Sequence, residues 1–142
     1  MNYIIVNNRI NIYVKDKDNY NIEYNINIYV KNKEIIFIYS NLLNGKISST
    51  NSISYSIEEL QLTNELFSLY NNIQEIFDVL KDLISNSYKP PIIDEKNNNF
   101  DLIIFVKLGK IQTITISLIE KINIFVKLIK KFMMKLNKML IN

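Results

Sequence analysis

The chain reads as an α+β protein: an antiparallel, β-rich head with an inserted helix pair, followed by a C-terminal amphipathic helix. Three observations predict this. Apolar and polar residues alternate through much of the first 55 positions, the period of half-buried strands. Between residues 57 and 85 the apolar spacing changes to three and four, the period of a helix. At the end, Ile122, Phe125, Ile129, Phe132, Leu136 and Met139 recur at alternating intervals of three and four, with lysines between them. That is the a/d pattern of a helix that seeks a partner helix or an amphipathic surface. The head is thus expected over residues 1–118 and the terminal, coiled-coil-like helix over 119–142.

Residues 3–6 and 10–14 are apolar runs separated by Asn7, Asn8 and Arg9, a hairpin pattern because Asn tolerates positive φ. In residues 22–30, Ile22, Tyr24, Ile26, Ile28 and Val30 alternate with Glu23, Asn25 and Asn27, predicting a half-buried strand. Lys31 to Glu34 turns the chain into Ile35–Tyr39, apolar throughout and expected to be a central strand. Asn44-Gly45 signals another turn, and Ile47, Ile53 and Tyr55 in a Ser-rich stretch predict a weaker strand at an edge.

Ser56-Ile57-Glu58-Glu59 fits a capping box, so a helix is expected over 57–70. A second helix over 72–85 follows from Ile73, Ile76, Phe77, Leu80 and Ile84, with Asn72 as its cap and Gln74, Asp78, Lys81 and Asp82 facing away. Pro90-Pro91 prevents its continuation. After a polar loop at Asp94–Asn99, the runs 100–108 and 111–118 flank Gly109-Lys110 as a two-residue hairpin. The last helix is expected from Ile119 to Leu140, about 33 Å at 1.5 Å per residue.

At 142 residues the chain suits one domain plus an extension, and a domain of this size buries roughly 68% of its unfolded-chain surface. Ile occurs 28 times and Asn 22 times, while Ala, His, Cys and Trp are missing. Such usage is expected from a very AT-rich coding sequence, so the run Asn97-Asn98-Asn99 reads as codon drift. Without Cys there are no disulfides or thiolate metal sites; without His there are no imidazole bases or ligands. Apolar runs such as Ile35–Tyr39 and Leu102–Val106 fall far short of the roughly 20 residues that span a bilayer. No secretory or transit signal is recognisable. The expected location is intracellular, in the cytoplasm or within an organelle that encodes the chain.

Charge is divided unevenly. Lys121, Lys127, Lys130, Lys131, Lys135 and Lys138 give residues 121–142 a charge of +6, whereas residues 1–120 carry eleven cations against fourteen acids. These lysines form the expected basic face, and Ile122, Phe125, Ile129, Phe132, Leu136 and Met139 the expected association seam. Val126, Met133 and Leu140 widen that seam. Three fates of the helix stay open: packing on its own head, pairing with another protein or a second copy, or lying on an anionic membrane surface.

No catalytic, cofactor-binding or metal-binding residues are identified, and the chain is expected to be non-enzymatic. Two glycines cannot form a phosphate cradle, and no nucleophile and base stand at a recognisable spacing. Glu75, Asp78 and Asp82 share a helix face and read as solvated; Asp94-Glu95 supplies too few oxygens for calcium. Tyr13, Tyr24, Tyr29, Tyr39 and Tyr55 would stack nucleic-acid bases if aligned on a sheet, but structural packing is their expected role. Nucleic acid therefore ranks below a protein partner.

The stretch from Tyr55-Ser56-Ile57-Glu58-Glu59-Leu60 through Ile73-Gln74-Glu75-Ile76-Phe77-Asp78-Val79-Leu80, then Leu102–Leu118 and the heptad end, resembles in element order the head-and-stalk superfamily that includes DNA end-joining and centriolar cartwheel scaffolds. It also looks like protist proteins in which a compact head leads into a coiled coil. The resemblance implies a structural scaffold acting through protein–protein association. Extreme residue usage without an import signal supports an alternative, a subunit of a large organellar complex; a peripheral membrane protein using the basic helix is a further one.

Overall fold

Residues 3–6, 8–119 and 122–141 are described by the computed structural model. Eight strands build one sheet: β1 (Tyr3–Val6), β2 (Arg9–Asp16), β3 (Glu23–Lys31), β4 (Glu34–Leu43), β5 (Lys46–Ser56), β6 (Ile92–Asp94), β7 (Asp101–Leu108) and β8 (Ile111–Ser117). Helices α1 (Ile57–Thr63) and α2 (Ile73–Ser85) lie between β5 and β6, and α3 (Ile122–Ile141) follows the sheet. The strand order is β5-β4-β3-β2-β6-β7-β8, with β1 also on β2. The expected α+β architecture is thus present, including the inserted helices and the C-terminal helix.

Alternation decides which side each strand buries. Ile10, Ile12 and Val14 of β2, Tyr24, Ile26 and Ile28 of β3, and Leu102, Ile104 and Val106 of β7 all face the core. Helix α2 supplies the other half of that core with Ile76, Phe77, Leu80 and Ile84, running against β3, β4 and β7. On β4, Ile35, Phe37 and Tyr39 are buried but Ile36 and Ile38 only half so. The fully apolar run therefore sits inside the sheet without being covered on both faces. The sheet curls until Tyr55 on β5, completely buried, donates its hydroxyl to the Ser117 carbonyl at the end of β8.

On the opposite face, asparagines satisfy one another. Asn25 Nδ2 donates to Asn11 Oδ1 at 2.5 Å, and Asn27 Nδ2 to Asn25 Oδ1 at 3.0 Å. Half-buried amides that would otherwise lack partners are thereby paired across β2 and β3.

The turns follow the residues that tolerate positive φ. Asn44 (+52°) and Gly45 (+77°) join β4 to β5 with Leu43 facing Lys46, the pattern of a type I′ turn. Asn32 (+52°) and Lys33 (+63°) do the same between β3 and β4. Lys33 carries a Cβ in a region that costs a non-glycine residue roughly 1–2 kcal/mol. Replacing Lys33 with glycine is therefore expected to stabilise the fold by about 1 kcal/mol, less than the full strain because glycine loses more chain entropy on folding. Urea unfolding should show a higher midpoint at an unchanged slope.

Two expectations need correction. The helix expected over 57–70 ends at Thr63, and a 3₁₀ segment occupies Glu65–Leu69. The break is chemical: the Thr63 hydroxyl bonds back to the Glu59 carbonyl at 2.9 Å, and Asn64 adopts an extended conformation (φ −152°, ψ 131°). Short polar side chains compete with the helix backbone in this way. The capping box at the start does form, Glu59 N donating to Ser56 Oγ at 3.2 Å and Ser56 N to Glu59 Oε1 at 2.9 Å.

The second correction is β6 (Ile92–Asp94), a strand to which the sequence assigns no element and whose last residue falls in the polar loop expected from Asp94. Ile92 and Ile93 run parallel to Lys15 and Asp16 of β2 and antiparallel to β7, joining the two halves of the sheet. Three residues are too few to show a period of two, and their partner strand lies far away in sequence. The expected loop that follows also contains a 3₁₀ turn, Lys96–Asn98.

Candidate functional site

Helix α3 presents the expected seam to solvent. Phe132 is 64% and Met139 76% exposed, and Ile129 and Leu136 are exposed as well. At 100° per residue these four, with Met133 and Leu140, occupy an arc of about 120°. Lys130, Lys131, Lys135 and Lys138 take the other side, all exposed. The helix passes beside α1, yet the described seam is not buried on the head. The side chains of Ile122, Phe125 and Lys127, together with Lys121, lie outside the described residues.

The tyrosines divide by strand parity. Tyr24, Tyr39 and Tyr55 point inward and are buried. Tyr24 meets Phe100 edge-on at 5.0 Å, and Tyr39 stacks on the same ring at 5.1 Å. The Tyr24 hydroxyl donates to Glu95 Oε1 at 2.5 Å; burial first, then that hydrogen bond and the Glu95 charge, push its pKa up. Packing is indeed their role. Tyr13 and Tyr29 sit on the outer face, where Arg9 stands 4.6 Å from the Tyr29 ring centre.

Tyr13 belongs to a feature that sequence reasoning missed. A groove of about 610 Å³ is lined by residues including Tyr13, Lys15 and Lys17 of the β2 region, Tyr20 in the next loop, Lys89-Pro90-Pro91, and Phe105 of β7. Tyr88 and Lys107 adjoin it, with the Lys107 ammonium 5.0 Å from the Tyr88 ring centre. The i, i+2 spacing of Tyr13, Lys15 and Lys17 could have flagged one wall. The other wall arrives through the β6 pairing, which the sequence did not reveal.

The acidic residues are engaged locally. Glu75, Asp78 and Asp82 are exposed on α2, as expected for a solvated face, with Lys81 3.3 Å from Asp78. Asp94 lies 3.7 Å from Lys17 and accepts the Lys96 amide at 3.0 Å. Among the described residues, no three acids are grouped to hold a metal ion, and no helix is long and apolar enough to cross a membrane.

Asp94 and Asp101 face each other across β6 and β7. Burial, and next the Asp94 charge, raise the Asp101 pKa above its ordinary 3.8. The folded state then holds the Asp101 proton more tightly than the unfolded state. This contribution is fully present below that ordinary value and is lost as pH rises through the higher folded value. Asp101→Asn is expected to be more stable than the parent at neutral pH, with the difference shrinking as pH falls through the raised folded value and gone below 3.8. Thermal melts across pH 3–8 would show the convergence.

Comparison with family models, with curated proteins and with solved structures finds no match for this chain.

Proposed function

We propose that this is a non-catalytic assembly protein in which α3 pairs with α3 of a second copy, the head serving as the rigid body so joined. The carrying observation is the exposed stripe Ile129, Phe132, Met133, Leu136, Met139 and Leu140. Charge placement supports a like partner. With Ile129 and Phe132 at a and d, Lys130, Lys131 and Lys138 fall at b and c, away from a two-helix seam, and Lys135 alone among the described lysines borders it. Two copies can therefore pair without opposing rows of like charge.

Sedimentation velocity from 1 to 100 µM tests the proposal. The expected result is a concentration-dependent rise toward the dimer, persisting in high salt because the seam is apolar. A monomer throughout would overturn self-association. Capture by anionic vesicles at low salt, released at high salt, together with that monomer, would favour a membrane surface instead.

A further inference from the structure

We propose that the groove between β2 and the Lys89-Pro90-Pro91 segment binds a short stretch of single-stranded nucleic acid, with bases stacking on Tyr13 and Tyr20 and phosphates held by Lys15, Lys17 and Lys89. The rings come first. Tyr20 is 71% and Tyr13 42% exposed, and among the described residues neither ring is engaged in an aromatic, cation–π or hydrogen-bonded contact. Two free tyrosine faces at one groove supply a stacking platform that accepts any base.

The cations come second. Lys15, Lys17, Lys89 and neighbouring Lys107 outnumber Glu23, which pairs in register with Lys15, and Asp94, which stands beside Lys17. The balance favours an anion, and the volume of about 610 Å³ lies within the range of small-ligand sites.

An acidic peptide fits less well. Extended peptides gain affinity by adding to an open sheet edge, and among the described residues β2 leaves only residues 13–14 of one edge without a strand partner. One of its edges is taken by β3, the other by β1 over residues 9–12 and β6 over residues 15–16. What remains accessible is rings and ammonium groups, the chemistry of base stacking and phosphate neutralisation. The groove is separate from the α3 seam, so this binding does not depend on the association proposed above.

Fluorescence anisotropy of a labelled 15-residue oligouridylate against the full chain tests the proposal, with Lys130, Lys131, Lys135 and Lys138 changed to Gln in a parallel variant to remove adventitious capture by α3. Binding is expected at 50 mM salt in both proteins. Three phosphate contacts should weaken it roughly twentyfold at 200 mM, from a slope of about −0.7 per contact. Tyr13→Ala and Tyr20→Ala should each lower affinity about tenfold, with circular dichroism unchanged because both rings are exposed. Tyr13→Phe should retain binding, since stacking uses the ring.

No binding up to 100 µM would overturn the proposal. So would loss of binding in the α3 Gln variant with no effect of the tyrosine changes, which would leave only non-specific attraction to the last helix. Equal displacement of the oligonucleotide by polyglutamate would assign the groove to acidic protein segments.

Discussion

Replacing Phe77 with alanine is expected to remove about 3–5 kcal/mol of stability, a large share of the roughly 5–15 kcal/mol that holds a domain of this size. Phe77 is fully buried on α2, the helix that runs against β3, β4 and β7. Its loss deletes apolar transfer energy and leaves a cavity bounded by a sheet that cannot collapse, because its register is tied by strand pairing. Phe77→Leu should cost less, since most of the volume stays. Urea unfolding followed by far-UV circular dichroism reads the difference at a shared slope. A loss below about 1 kcal/mol would mean that α2 is not seated in the core as described.

The double substitution Ile129→Asp and Phe132→Asp is expected to weaken self-association at least a hundredfold while leaving the head folded. Each aspartate would place an unpaired carboxylate where an apolar knob should enter its partner, and even 1.4 kcal/mol for each change is tenfold. Both positions are exposed in the single chain, so the folded monomer has little to lose from them. Sedimentation velocity should show a monomer where the parent dimerises, and the head's thermal midpoint should stay in place. A midpoint several degrees lower would show instead that the stripe packs on its own head. Opposite outcomes in two measurements thus separate an intermolecular seam from an intramolecular one.

Local periodicity was enough to locate most elements, because each strand or helix writes its buried face into its own residues. Tyr24, Ile26 and Ile28 could be assigned to one face from spacing alone, and the same holds for Ile76, Phe77, Leu80 and Ile84. The capping box at Ser56 and Glu59 was equally legible, since its two hydrogen bonds join residues three apart. The helix end at Thr63 was not. Apolar spacing continues through Phe67, which is buried in the 3₁₀ segment, and the competing Thr63 and Asn64 geometry carries no period.

The candidate surfaces divide in the same way. Sequence by itself determined the α3 stripe and its lysine side, because 3.6 residues per turn converts spacing directly into faces. Whether that stripe was covered depended on where the head ends and how the helix leaves it. Only the tertiary structure decided that the described seam faces solvent. The groove required more: Lys15 and Ile92 become neighbours solely through the parallel pairing of β2 with β6, after a crossover of five strands' and helices' worth of chain. Tyr13 is exposed for a local reason, the alternation that buries Ile12 and Val14, but it acquires Lys89 and Phe105 as groove neighbours by long-range strand order. Spacing sets the face on which a side chain stands; chain topology chooses what stands opposite.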